Sequence, residues 1–152
     1  MTGWRLGWTI AHPEITERLV VMRQYMSTCA STISQEAGIH ALQGYADSDV
    51  KKMTDAYAVR RNVMMQAIVK LTDLKFVKPQ GTFYLLLDVR PKIVQFGNAL
   101  DIAKQLLEAV NVVTIPGSAF GSNAEGYLRL SFAASPENIE EGISRIGKFF
   151  SS

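Results

Sequence analysis

The chain has 152 residues, of which 47% are hydrophobic and 20% are charged, and its formal net charge is +2. This composition is typical of a globular domain and excludes a disordered chain, while the nearly balanced charge gives no electrostatic basis for binding nucleic acid or an anionic membrane surface. No apolar run reaches the about 18 residues needed to span a bilayer, and the single cysteine, Cys29, predicts a reducing, cytoplasmic location.

The opening segment MTGWRLGWTI has the alternation of a β-strand. One face of this predicted strand is large and apolar: Trp4, Leu6, Trp8 and Ile10. On the other face, Arg5 stands between Gly3 and Gly7. Glycine inside a strand often marks a place where another group approaches the backbone, and arginine is always charged. The segment therefore predicts a strand that forms part of an anion site.

Three helices are predicted in the next part of the chain. The first begins at Pro13 and carries an apolar stripe predicted to face a core: Ile15, Leu19, Met22 and Met26. The second begins at Thr32, which forms a capping-box pattern with Gln35, and ends at Gly44. The third begins at Asp47 and extends for about 24 residues, so it is expected to act as a spine for other elements.

The second half of the chain alternates strands and helices. Strands are predicted in TFYLLLDV, which ends before Pro91, in VVTI, which ends before Pro116, and in YLRLSF. Asn98 caps one helix, and Ser135 with Pro136 begins the last one. The inward positions of the last strand and helix are apolar: Leu128, Leu130, Phe132, Ile139, Ile143, Ile146 and Phe150. The sequence therefore predicts an α/β fold (α+β-like) in which helices pack on a small mixed or antiparallel sheet.

Two arginines remain as candidates for chemistry. His12 and His40 lie far apart in the sequence without a cluster of cysteines or carboxylates, so no metal site is predicted. Arg129 lies on the outward face of its strand, where its neighbours are polar. From the residues alone, Arg5 and Arg129 either are solvated on an open sheet face or converge on one anionic ligand.

Four ordered segments, MTGWRLGW, PQGTFYLLLDV, PGSAFG and GYLRLSFAAS, resemble the C-terminal half of the class I/II aminotransferases. The segment AYAVRRN in the long helix is also similar to the family pattern, and the resemblance covers essentially the whole chain. The family consists of fold type I, aspartate-type enzymes that use pyridoxal 5′-phosphate (PLP). The resemblance implies that residues 1–46 are a remnant of the large PLP-binding domain. Residues 47–152 are then the small C-terminal domain, which begins with the long interdomain helix.

The resemblance also implies roles for individual residues. Arg5 matches the family arginine that binds the phosphate of PLP, and Arg129 matches the arginine that binds the substrate α-carboxylate. Ser118 and Phe120 are implied to line the substrate pocket, unless they are simply a turn serine and a core phenylalanine. The lysine that forms a Schiff base with PLP is expected just before the phosphate-binding arginine, upstream of Met1. We therefore expect no catalytic residue in this chain, and neither activity nor bound PLP when the chain is alone.

The parent protein is then expected to be an enzyme that transfers an amino group between an α-amino acid and a 2-oxo acid. The alternative is a non-catalytic, truncated binding or regulatory module that self-associates or pairs with a full-length relative. A third hypothesis is an unrelated α/β domain with plain surface arginines. We expect a cytoplasmic homo-oligomer without a nucleic-acid or membrane partner. Residues 1–44 are expected to self-associate or to repack on the small domain, because their strand lacks its neighbours.

Overall fold

The structure, a computed structural model, describes residues 2–151. Met1 and Ser152, the end residues of the two predicted segments, lie outside the described residues. The chain divides into two compact units, residues 1–52 and 53–152. The predicted division between residues 46 and 47 concerns family domains rather than compact units, and it stays a prediction.

The first unit is built from helices. A 3-10 helix, Thr2–Trp4, is followed by residues 5–12 without regular secondary structure. The helices that follow are α1 (Pro13–Ser27), α2 (Thr32–His40), a π-helical turn (Ala41–Tyr45) and α3 (Asp47–Leu71), which continues into the second unit. Gly44 has a φ of 90° inside the π-helical turn, a left-handed value that favours glycine. This conformation interrupts the helical path between α2 and α3.

The prediction of an opening strand is wrong. Thr2–Trp4 is a 3-10 helix and Arg5 has a φ of 51°, so the side chains of this segment do not alternate across a sheet. Trp8 and Ile10, predicted to lie on a covered face, are exposed. A strand is held by hydrogen bonds to a neighbouring strand, and the strands of the described residues all lie between residues 75 and 131 in the second unit.

Helix α1 begins at Pro13 as predicted, but the prediction that its apolar stripe faces a core is wrong. None of the residues of α1 is buried. The predicted stripe is exposed: Ile15, Leu19, Met22 and Met26. A helix buries its apolar stripe only against another element, and no described element of the first unit packs closely enough on this stripe to bury it.

Helix α2 begins at Thr32 as predicted, but the predicted capping box is wrong. The N-cap residue is Ser31, and its side chain makes no capping hydrogen bond. The Gln35 side chain instead donates to the Ala30 carbonyl oxygen at 2.9 Å. A capping box joins the N-cap residue to the N3 residue. The predicted pair, Thr32 and Gln35, lies one residue after these two positions.

The second unit contains a four-stranded antiparallel sheet in the order β1-β2-β4-β3. The strands are β1 (Lys75–Val77), β2 (Tyr84–Asp88), β3 (Ile115–Pro116) and β4 (Tyr127–Ser131). Strands β2 and β4 lie where the sequence predicts them, and β3 keeps only the last residue of the predicted VVTI strand. Strand β1 is a short edge strand that the sequence pattern does not predict.

Helices and one sheet face share the core of the second unit. Besides the later part of α3, the helices are α4 (Ile93–Phe96), α5 (Ala99–Val110) and α6 (Pro136–Ser151). The largest fully buried side chains are Ile68, Leu85, Leu87, Val89, Ile102, Leu106, Leu128, Phe132 and Ile146. This arrangement confirms the predicted α/β class with a small antiparallel sheet. Across residues 2–151, no helix has both the length and the apolar character that crossing a membrane requires.

Candidate functional site

Arg129 occupies the middle of β4, a central strand of the sheet. It is the register partner of Leu86 on β2 and of Ile115 on β3. Because its strand neighbours Leu128 and Leu130 are buried in the core, strand alternation puts Arg129 on the opposite, open face. The predicted alternation of this strand is confirmed, and the half-buried Arg129 stands on a rigid element.

Two aromatic rings contact the Arg129 guanidinium. Its Cζ atom lies 4.1 Å from the ring centroid of Tyr84 and 4.3 Å from that of Phe120. Tyr84 belongs to β2 and is the register partner of Ser131, so it is a diagonal neighbour of Arg129 on the open face. Within residues 2–151, the Arg129 side chain has no carboxylate partner and makes no hydrogen bond. Its charge and its N–H donors are therefore available to an anion.

Phe120 reaches Arg129 because a glycine lets its loop pack tightly. Phe120 ends a 3-10 helix, Gly117–Phe120, that follows β3 directly. A Cβ atom on Gly117 would clash with the Ala124 carbonyl oxygen and lie 3.0 Å from the Tyr127 carbonyl oxygen. Gly121, after the 3-10 helix, has a φ of 112°. The PGSAFG segment is thus folded so that one aromatic side chain faces the arginine of β4.

A second arginine on this face has a carboxylate partner. The Arg90 guanidinium donates to Asp88 through Nε at 2.9 Å and through Nη2 at 2.6 Å. These hydrogen bonds hold the pKa of the Asp88 carboxyl below its usual value of 3.8 and raise the pKa of Arg90. The Arg90 guanidinium also lies over the Tyr127 ring at 5.0 Å. Arg90 is thereby neutralised within the protein, whereas Arg129 is not.

Arg5 lies in the first unit, on a segment held at two points by α2. The Ser34 hydroxyl donates to the Trp4 carbonyl oxygen at 2.9 Å. On the other side, Leu6 packs so closely on Gly38 that a Cβ atom there would lie 2.5 Å from the Leu6 side chain. Arg5 itself is exposed between these two anchors and lines a groove of the first unit.

The glycines beside Arg5 leave open space. A Cβ atom added to Gly3 or Gly7 would have no heavy atom within 4 Å. Packing inside the first unit therefore does not require glycine at either position. The free space and the exposed guanidinium fit an anionic group that approaches Arg5 from outside the described residues.

The structure brings together only some of the predicted site residues. Phe120 contacts Arg129, while Ser118 is exposed in the same 3-10 helix. Arg5 belongs to the first unit and Arg129 to the second, so their convergence on one ligand stays a prediction. Sequence reasoning missed Tyr84, because only the pairing register of β2 with β4 reveals it as a neighbour of Arg129. In residues 2–151, no group of three His, Cys, Asp or Glu side chains is arranged to hold a metal ion.

Comparison with known proteins gives a consistent match along the chain. The family model "Aminotransferase class I and II" matches residues 1–146. The chain is 38% identical over 150 residues to a probable N-acetyl-LL-diaminopimelate aminotransferase of Bacillus subtilis, covering 98% of this chain and 37% of the relative. It is 34% identical over 149 residues to a probable aspartate/prephenate aminotransferase of Aquifex aeolicus, covering 97% of this chain and 37% of the relative.

Solved structures agree with these relatives. An aromatic aminotransferase from Pyrococcus horikoshii superimposes with a TM-score of 0.86 at 34% identity, covering 99% of this chain and 40% of that structure. An aspartate aminotransferase from Thermotoga maritima superimposes with a TM-score of 0.82 at 34% identity, covering 100% of this chain and 37% of that structure. The chain thus spans less than two fifths of the length of the curated relatives named above.

Proposed function

The chain belongs to the class I and II aminotransferase family, and we propose that it is the C-terminal part of a PLP-dependent enzyme that transfers an amino group between an α-amino acid and a 2-oxo acid. The observation that carries this proposal is the set of groups that surround the Arg129 guanidinium. Its guanidinium is contacted by two aromatic rings, and no carboxylate of the described residues neutralises it. The amino acid and the 2-oxo acid both carry a carboxylate, which is the anion that an arginine fork matches best.

Arg129 is proposed to bind the α-carboxylate of the substrate. Two parallel N–H···O hydrogen bonds from a guanidinium fix the orientation of a carboxylate as well as its position. The position of Arg129 on a central strand supports this role, because a site on a rigid strand holds its geometry better than a site on a loop. Ser118 and Phe120 are proposed to line the same pocket.

Arg5 is proposed to bind the phosphate of PLP. Its exposure, and the free space at Gly3 and Gly7, fit a phosphate that must come close to the backbone. When bound, PLP supplies an electron sink for breaking a bond at the substrate α-carbon. The contribution proposed for this chain is limited to two anchors: Arg5 holds a phosphate and Arg129 holds a carboxylate.

We propose further that residues 1–46 derive from the large PLP-binding domain and that residues 47–152 form the small C-terminal domain. The family resemblance matches none of the lysines of this chain to the lysine that reacts with PLP, so we propose that the 152-residue chain alone is inactive. Treatment with PLP followed by borohydride reduction tests this directly. We expect the intact mass to be unchanged, and a single PLP adduct at one lysine would overturn the proposal of inactivity.

A chimera tests the proposed function itself. The corresponding C-terminal part of the Bacillus subtilis relative, which is 38% identical, is replaced by this chain. We expect an active aminotransferase whose kcat/KM falls by about 100-fold or more in Arg129→Ala. The reason is that the desolvated substrate carboxylate loses the guanidinium as its partner. Arg145→Ala on α6 is the matched control, since the half-buried Arg145 already has partners within the protein: Glu141 and the Val110 carbonyl oxygen. Equal losses in the two variants, or none in either, would contradict the role of Arg129.

The exposed apolar surface of the first unit favours a second candidate function. A non-catalytic module that self-associates, or that pairs with a full-length relative, would cover the apolar side chains that α1 leaves exposed. This candidate predicts a homo-oligomer, and the exposed free Cys29 fits the reducing cytoplasm proposed for it. Sedimentation velocity across a concentration series tests it: a monomer at every concentration would contradict self-association.

A further inference from the structure

We propose that Tyr84 and Phe120 are positioning residues that hold the Arg129 guanidinium ready to receive a carboxylate. The inference rests on the proposed function, in which Arg129 binds the substrate. We call these two side chains the aromatic clamp. Neither residue needs to touch the substrate for this role, because each acts through the arginine that it contacts.

The aromatic clamp is expected to reduce the entropy that the Arg129 side chain loses when a ligand binds. A free arginine side chain samples many rotamers, and a ligand must offset the entropy lost when the side chain is ordered. Ordering by a protein carboxylate, as Asp88 orders Arg90, uses the same N–H donors that a ligand needs. Aromatic faces attract the cation through their quadrupole and accept no conventional hydrogen bond from its in-plane donors. Tyr84 and Phe120 can thus restrict the guanidinium while leaving its donors free.

The two halves of the clamp are supported differently. Tyr84 lies on a strand, its ring is 4.3 Å from the Phe83 ring, and Phe83 stacks on Tyr57 at 5.8 Å. Its ring is therefore fixed by an aromatic row that reaches α3. Phe120 is 51% exposed and lies on the short 3-10 helix that Gly121 ends. Tyr84 is thus the half held by packing, and Phe120 is the more exposed half.

Nuclear magnetic resonance of the arginine Nε–Hε groups tests this inference on the full 152-residue chain. Arg129→Lys identifies the Arg129 signal by its loss. Ring faces shield nearby protons, so we expect this signal upfield of the other arginine Hε signals, with slowed side-chain motion. The displacement should decrease in Phe120→Leu and Tyr84→Leu and persist in Phe120→Tyr. Tyr127→Leu is the matched control, because Tyr127 shares the sheet face but contacts Arg90 instead.

Titration with sodium pyruvate, against sodium chloride at equal ionic strength, supplies the second measurement. We expect pyruvate to shift the Arg129 signal, with a dissociation constant raised about 3- to 30-fold in Phe120→Leu. An undisplaced Arg129 signal in the unsubstituted chain, or equal pyruvate affinity in Phe120→Leu, would overturn the clamp. A displaced and ordered signal that pyruvate fails to move would instead overturn the carboxylate-binding role of Arg129. The amide spectrum of each variant verifies that it is folded.

Discussion

Two helices, one in each compact unit, begin with the same two residue types but differ in burial: one is exposed and the other packs into a core. Helix α1 starts with Pro13 and Glu14, and helix α6 starts with Pro136 and Glu137. Both carry an apolar stripe, yet α1 buries no residue, whereas α6 buries five: Ile139, Ile143, Ile146, Gly147 and Phe150. The start signals are local and work in both units. Burial depends on what lies opposite the stripe, and among the described residues a sheet and a core cluster of buried apolar side chains occur only in the second unit.

The same contrast holds for the units as wholes. Among the described residues, the buried hydrophobic side chains all lie between Met64 and Phe150, in the second unit. Among residues 2–52, only Ser34 and Gly38 are buried. Because hydrophobic burial dominates folding stability, the second unit is expected to carry nearly all of the stability of this chain. Matched substitutions in or near the two environments test this expectation.

The largest effect is expected from truncating a buried side chain of α6. Ile143 is 2% exposed, and Ile143→Ala should lower the free energy of unfolding by about 2–5 kcal/mol, since it removes apolar contacts and leaves a cavity. Ile15 on α1 is 53% exposed, and Ile15→Ala should change that free energy by less than about 0.5 kcal/mol. Urea unfolding followed by circular dichroism measures both. Similar losses in the two variants would show that α1 is packed in solution.

A smaller effect is expected from two glycines of the same helix. A Cβ atom on Gly147 would clash with the Leu71 carbonyl oxygen, whereas one on Gly142 would meet no atom within 4 Å. Gly147→Ala should therefore destabilise the chain by about 1–3 kcal/mol through overpacking. Gly142→Ala should stabilise it by up to about 1 kcal/mol through its helix propensity. Opposite shifts of the thermal midpoint are the expected result, and a common direction would contradict the close packing of α6 on the end of α3.

A still smaller effect separates two helix caps. The Asn98 side chain accepts hydrogen bonds from the backbone of Leu100 and Asp101, so Asn98→Ala should cost about 1 kcal/mol. Ser31 stands at the corresponding position of α2 without a capping hydrogen bond. Ser31→Ala should leave the urea midpoint nearly unchanged, and a loss equal to that of Asn98→Ala would show a cap that forms in solution.

The comparison also explains which parts of the fold could be predicted from sequence. The α5 cap, the α6 start and the inward residues of β4 depend on signals within a few residues of one another, and all three predictions are confirmed. The opening strand and the α1 core face depend on partners elsewhere in space, and both predictions are wrong. Periodicity shows which face is apolar, but it does not show whether anything covers that face.

The candidate site also has one part that the local sequence predicts and another part that depends on contacts between elements. Arg129 could be identified from the alternation of the YLRLSF segment and from the resemblance of that segment to the family pattern. Both signals come from consecutive residues of one strand. The contact with Tyr84 depends on the register that pairs Tyr84 with Ser131, and the contact with Phe120 depends on how Gly117 folds its loop. These are relations between elements, and a single sequence does not contain the register.

The last prediction concerns acid, where the two units should again differ. The hydrogen bonds from Arg90 hold the pKa of Asp88 below 3.8 in the folded chain, so this ion pair stabilises fully above that value and is lost as the pH falls through the folded pKa. Asp88 is buried beside β4, whereas Asp49 with Lys52, an ion pair of the first unit, is exposed and screened by water. The protection factors of the β4 amides should therefore fall as the pH drops below 3.8, and Asp88→Asn should flatten this dependence while lowering protection at about pH 7. An unchanged pH profile in Asp88→Asn would assign the acid sensitivity of the second unit to other carboxylates, such as Asp73 beside Lys92.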